Sequence, residues 1–224
     1  MKITWLGQAG LLFEKDGFRI LIDPYLSDSV VRVNPKNYRR VPIDERFLKI
    51  QPDVFICTHN HLDHYDPDTA PVYLKREQPM TVLFPRSVYD TALPLKGVHN
   101  FVLFDRHTEW TEHGIRFRSV KAVHSDDAAV GVLIDDEEKT YYVTGDTLYS
   151  EEIFADLHKP VDVLFLPING VGNNMNMTDA ARFAAKVGAK KTVPLHFGMF
   201  DELNPELFCC ENRVIPKLYE EIPV

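Results

Sequence analysis

Thr58-His59-Asn60-His61-Leu62-Asp63-His64 places four side chains able to ligate a metal within six residues, directly after the apolar run Val54-Phe55-Ile56-Cys57. The apolar run reads as a buried strand, Val54–Thr58, so the polar cluster falls at a carboxyl end, where loops gather and ligand sites form. Histidine nitrogen and carboxylate oxygen suit divalent transition metals. Alternate residues of an extended turn, His59 and His61, can point at one ion, leaving Asp63 and His64 to face a neighbour. A turn of this kind taken alone is also compatible with surface histidines.

Three distant residues share its context. His124 ends the run Val120–Val123, Asp146 in Gly145-Asp146-Thr147 follows Tyr141–Thr144, and His196 ends Thr192–Leu195. Each lies just past an apolar strand, and this regularity is independent of the first motif. One such residue alone reads more readily as a capping or core group, whereas the set reads as a single centre.

Working outward, Ile3–Leu6, Leu11–Phe13 and Phe18–Ile22 read as strands, with Asp16-Gly17 as a hairpin turn. Val82–Phe84 reads as another buried strand, and Ile115–Val123 as a partly exposed one. Val130–Ile134 and Tyr141–Thr144 flank the polar turn Asp135-Asp136-Glu137-Glu138-Lys139 as a second hairpin, and Val161–Leu166 completes the strands. Thr69 is placed to cap a helix through about Arg76, with Pro71 in its first turn. The clearest helix follows Thr178: Ala180, Phe183, Ala184 and Val187 recur at helical spacing and Gly188 ends it.

Composition bounds the function. The chain has 224 residues, 45% hydrophobic and 26% charged, with no repeat and no linker. A formal net charge of −8 argues against capture of nucleic acid, and no run reaches membrane-spanning length. Three cysteines, Cys57, Cys209 and Cys210, lack metal-ligand spacing, so a reducing cytoplasm is the expected compartment. A small-molecule substrate is the expected partner, and a homo-oligomer is left open.

His59-x-His61-x-Asp63-His64, a lone histidine, Gly145-Asp146-Thr147 and a last histidine together resemble the metallo-β-lactamase superfamily pattern over nearly the whole chain. The resemblance implies an α/β fold, the αββα sandwich, with residues 1–224 as a single hydrolase domain. It also implies two divalent metal ions, zinc or manganese, with iron compatible. His59, His61 and His124 would hold one, Asp63, His64 and His196 the second, and Asp146 would bridge them. The segments Trp5-Leu6-Gly7-Gln8-Ala9-Gly10, Ile22-Asp23-Pro24, Pro85-Arg86-Ser87, Pro167-Ile168-Asn169-Gly170 and Pro194-Leu195-His196-Phe197-Gly198-Met199-Phe200 are similar to the L-ascorbate-6-phosphate lactonase-like branch.

The expectation is a metal-dependent hydrolase that opens a small sugar lactone, phosphorylated or not, with hydroxide as nucleophile. Asp63 and Asp146 are the expected catalytic carboxylates. Asp63 would orient the nucleophile and pass a proton to the leaving group, and Asp146 would hold the two ions together. Arg86, or the basic stretch Arg32, Lys36, Arg39 and Arg40, is placed to meet an anionic group on the substrate. Asn169 and Gly172-Asn173-Asn174 are placed to line the pocket, and Met199 and Phe200 to wall it. Three other readings compete. One is cleavage of a small cyclic phosphodiester or of nucleic acid, another is non-hydrolytic redox chemistry at iron, and the third is a binding module with a structural metal.

Overall fold

Asp16 and Gly17 both adopt positive φ, 51° and 86°, and so fold the chain back tightly between two apolar runs. Around that hairpin the first sheet is built from β1 (Lys2–Gly7), β2 (Gly10–Lys15), β3 (Phe18–Ile22), β4 (Val54–Ile56), β5 (Thr81–Phe84) and β6 (Asn100–Leu103). They lie in sequence order, antiparallel from β1 to β3 and parallel from β3 to β6. The second sheet contains β7 (Glu109–Glu112), β8 (Ile115–Lys121), β9 (Val130–Asp135), β10 (Thr140–Val143), β11 (Val163–Pro167) and β12 (Lys191–Leu195). It is antiparallel from β7 to β10 and parallel from β10 to β12. This computed structural model describes all residues 1–224.

Strand alternation decides what each face buries. Phe13 of β2 is fully buried and meets Tyr141 and Phe165 of the other sheet edge-on, at centroid distances of 5.6 and 5.8 Å. These rings belong to a core of 37 buried residues drawn from both sheets. Between two adjacent pleats the direction reverses, so Tyr142 points outward and packs on Phe183 of the outer helix. Leu12, Leu21, Phe55 and Val82 on the outer face of the first sheet form a second cluster with Phe47, Tyr73, Leu74 and Val88. Those last four lie on or beside α1 (Glu45–Leu48), α2 (Ala70–Leu74) and α3 (Arg86–Ala92). The remaining helices are α4 (Glu151–Phe154) and α5 (Met177–Val187). The result is the helix–sheet–sheet–helix sandwich expected, and none of its helices is long and apolar enough to cross a membrane.

Local chemistry adjusts two helix boundaries. Asn176, not Thr178, caps α5, accepting from the amides of Thr178 and Asp179, and Gly188 ends it with φ 67°. Thr69 stands at the N-cap of α2, yet its side chain makes no cap. Its hydroxyl instead donates to Asp66 and accepts from the Leu26 amide. The helix then stops at Leu74, short of Arg76, whose guanidinium binds the carbonyls of Leu48 and Ile50.

Candidate metal centre

Four loops on one edge of the sandwich carry the side chains singled out above: the loop after β4, and those after β8, β10 and β12. They bring all seven together. Ligand atoms of His59, His61, His124 and Asp146 form one group, and those of Asp63, His64 and His196 a second, with all atoms inside each group within 4.8 Å of one another. His61 Nδ1 lies 3.1 Å from His124 Nε2. Asp146 stands between the groups, its Oδ2 lying 3.4 Å from His64 Nε2 and 3.2 Å from His196 Nε2.

The arrangement depends on close backbone approaches. Gly145 has φ 61°, and a Cβ there would lie 2.9 Å from the Val130 carbonyl oxygen and 3.0 Å from Thr58 Cβ. Only glycine lets the Gly-Asp-Thr turn nest against the histidine-rich turn and present Asp146. Gln8, Asp23 and His196, following β1, β3 and β12, also take left-handed conformations, with φ of 51°, 44° and 61°. Strained non-glycine residues gather where surrounding structure over-determines them, as at functional sites.

Supporting groups fix the ligands' orientation. Asp23 Oδ1 accepts from the Thr58 amide at 2.8 Å, and Oδ2 accepts from Thr58 Oγ1 at 2.5 Å and lies 2.8 Å from His64 Nδ1. Gln8 Nε2 donates to Asp63 Oδ2 at 2.8 Å, and Asn174 Nδ2 donates to Asp146 Oδ2 at 2.8 Å. Asp126 accepts from the Asn60 amide and from Ser87 Oγ, pinning the turn itself. The sequence reading gave none of these residues a supporting role, and of Gly172-Asn173-Asn174, expected to line the pocket, only Gly172 does so, Asn174 being buried against Asp146. Asp23 carries the same signal as the ligands, a polar residue directly after an apolar strand, whereas Asp126 carries no such mark.

Two observations test whether these residues fit a metal. His59 Nε2 and His64 Nε2 are buried and make no hydrogen bond, an expensive state for a polar atom without a partner. Their other nitrogens are already engaged, His59 Nδ1 lying 3.1 Å from Thr58 Oγ1 and His64 Nδ1 facing Asp23. A carboxylate behind a histidine with its far nitrogen free is how metal-binding imidazoles are oriented. The nitrogen-and-oxygen donor set therefore fits divalent ions.

Electrostatics follow from this crowding without ions. Burial pushes the His59 imidazole well below its ordinary value, helped by the neighbouring histidines. Burial also opposes charge on His64, but Asp146, Asp23 and Asp63 outweigh it and raise its pKa. His196 is raised to about 10, again against burial, by Asp146 and Asp63. Desolvation would lift the carboxyls of Asp63 and Asp146, yet the adjacent imidazoles hold both low. Both carboxylates are thus ionised at neutral pH, the state that ligation requires.

A cleft of about 230 Å³ opens onto His61, Asp63, Asp146 and His196, and its outer wall includes Val30, Asn37, Asn169, Val171, Phe200 and Asp201. Asn169 and Phe200 therefore stand where they were expected. Met199 does not line it and is buried beside Tyr25 and Val30. Arg86 is not brought to the cleft. It pairs with Asp105 at 2.8 Å and faces a separate cavity bounded by Asn60, Ser125 and Lys121. Nor does the basic stretch line it. Arg32 pairs with Asp68, Arg39 binds the Tyr25 carbonyl and the Tyr219 hydroxyl, and Arg40 stacks on Tyr38. The other four histidines stand elsewhere: His99 against the Leu74 carbonyl, His107 against Asp156, His113 stacked on Phe18 and His158 beside a separate cavity with Asp135 and Lys159.

Residues 18–197 match the β-lactamase superfamily domain. The chain belongs to this superfamily. A UPF0173 metal-dependent hydrolase of Staphylococcus epidermidis is 31% identical over 93% of this chain and 91% of its own length. Another from Methanopyrus kandleri is 30% identical, over 93% and 90%. Among solved structures, the metallo-β-lactamase fold protein YhfI from Bacillus subtilis aligns with a TM-score of 0.73 at 20% identity, covering 98% of this chain and 97% of the other. The protein is accordingly a metal-dependent hydrolase of the β-lactamase superfamily, and its His/Asp cluster is where a metal would bind.

Proposed function

We propose that this hydrolase opens a small sugar lactone, using two divalent ions held by the two ligand groups. The observation that carries the reading is the cleft itself. At about 230 Å³ it has room for a compact ring, and it ends directly on Asp63 and Asp146. A compact ring placed there brings its ester carbonyl to the reacting edge.

His59, His61, His124 and Asp146 would hold one ion, and Asp63, His64 and His196 the other, with Asp146 shared. Divalent ions at such sites supply Lewis acidity, activating water and offsetting charge that develops on oxygen. The chain's own contribution is positioning and proton movement. Gln8 fixes Asp63 through its Oδ2, and the ionised carboxylate accepts a proton from water in the cleft as that water attacks the lactone carbonyl. The new carbon–oxygen bond forms a tetrahedral centre. Collapse breaks the ring ester bond, and Asp63 returns the proton to the departing alkoxide, leaving a hydroxy acid. Asn174 keeps Asp146 from turning away during these steps.

The test is an assay of zinc- and manganese-loaded protein against sugar lactones and small cyclic phosphodiesters. Lactone opening that is abolished by chelation is the expected result. Hydrolysis confined to the cyclic phosphodiesters would reject the assignment.

A further inference from the structure

Resting on the hydrolytic reading above, we infer that the cleft selects an uncharged substrate and excludes one carrying a phosphate arm. Away from the ligand cluster its wall offers three apolar side chains, Val30, Val171 and Phe200, two amides, Asn37 and Asn169, and one carboxylate, Asp201. No lysine or arginine lines it.

Every arginine near enough in sequence to serve is committed elsewhere. The Arg39 guanidinium spends its N–H groups on the Tyr25 carbonyl at 2.7 Å, the Val41 carbonyl at 3.0 Å and the Tyr219 hydroxyl at 2.7 Å. Arg32 donates to Asp68 at 2.9 Å and Arg40 to the Tyr38 hydroxyl at 2.6 Å. Lys36 lies exposed on the same loop, outside the cleft. A phosphate arm lying along the outer wall, away from the ligand cluster, would give up part of its hydration without gaining a lysine or arginine partner and would face Asp201, a like charge. Asp201 is itself held in place, its Oδ1 accepting from the amides of Gly198 at 2.9 Å and Leu203 at 3.0 Å, so it does not swing clear.

The groups present recognise a different chemistry. Asn37 offers both donor and acceptor to hydroxyl groups, and Asn169 adds its Nδ2, held only loosely at 3.5 Å from the Val171 carbonyl. Val30, Val171 and Phe200 cover carbon surface. This pattern suits a neutral polyhydroxylated ring or a similarly small neutral ester.

The experiment compares matched pairs on the metal-loaded enzyme: D-glucono-1,5-lactone against its 6-phosphate for turnover, and the corresponding inert lactams for binding by calorimetry. The neutral lactone should show kcat/KM at least 100-fold above its 6-phosphate, and the neutral lactam should bind at least tenfold tighter than its phosphate. Val171→Lys, a change at an exposed position of the lip, should narrow both gaps. Equal or better turnover of the 6-phosphate, or tighter binding of the phosphorylated lactam, would overturn the inference while leaving lactone opening intact. Failure to open either lactone would remove the lactonase reading, and the lactam affinities would still decide the charge preference.

Discussion

Asp23 Oδ2 lies 2.8 Å from His64 Nδ1, and solvent reaches neither side chain. The same carboxylate binds the amide and hydroxyl of Thr58, so one residue orients both the histidine and the turn that precedes the ligand cluster. Asp23→Asn keeps the shape but removes the charge that orients His64. It should weaken metal binding by about 10–100-fold while leaving far-ultraviolet dichroism unchanged. Competition with a chelating dye measures this, and wild-type affinity would refute the role.

Asp146→Asn should abolish turnover and lower bound metal without unfolding the protein, because the core of 37 buried residues is assembled independently of it. Asn174→Ala acts one step further out. Losing its hydrogen bond removes one donor from a carboxylate oxygen that still faces His196 and His64, at a cost of about 1 kcal/mol. Metal per chain by mass spectrometry and denaturant midpoints separate the two effects. An Asn174→Ala protein with unchanged metal content and midpoint would show that this contact does nothing.

Two glycines distinguish backbone strain from close approach. Gly17 has φ 86° with nothing within 4 Å of an added Cβ, whereas Gly145 has φ 61° with Val130 and Thr58 in the way. Gly17→Ala should cost about 1 kcal/mol, and Gly145→Ala distinctly more, because the turn bearing Asp146 must also move. Thermal unfolding of both variants checks the ordering, and equal losses would deny that the approach to Thr58 matters.

Far from the metal centre, Asp156 accepts from Arg106 Nε and Nη2, His107 Nε2 and the Lys121 amide, each at 2.8 Å. Burial acts to raise its carboxyl, but Arg106, His107 and the Lys121 amide outweigh it, holding the group well below the usual carboxylate range. A depressed carboxyl contributes stability that is present above its unfolded value, about 3.9, and lost as the pH falls through its folded value. Asp156→Asn should therefore destabilise by about 1–2 kcal/mol at pH 7, discounted for the exposure of Arg106, with the deficit shrinking below about pH 4. Urea titrations at pH 7 and pH 3 test this, and a constant deficit would contradict it.

What could be read in advance follows from how far apart cause and effect lie along the chain. The ligand loops were legible because each follows an apolar strand, a local pattern. The edge strands β6 and β7 were not, since Glu109–Glu112 alternates exposed and half-buried residues and pairs with one neighbour only. Helices α1 and α4, four residues each, are too short to show a period. Arg86 illustrates the harder problem. Whether a cation faces substrate or a carboxylate depends on which residue folds beside it, and Asp105, 19 positions away, bears no mark of that pairing. Chain-local patterns thus disclosed the residues of the His/Asp cluster, while the supports behind them and the charge of the cleft wall emerged only from tertiary contacts.

Each ligand group takes side chains from both sheets: His59, His61, Asp63 and His64 follow β4, whereas His124, Asp146 and His196 follow β8, β10 and β12. An ion held by either group would act as a rivet through the seam of the sandwich. A bound ion would add to a core that folds without it, so the margin of stability of the folded protein, and its resistance to proteases, should rise with metal saturation. Saturation at a thousandfold over the dissociation constant would add about 4 kcal/mol by mass action alone. Scarcity of metal in the surroundings would thus shorten the protein's lifespan as well as silence its chemistry.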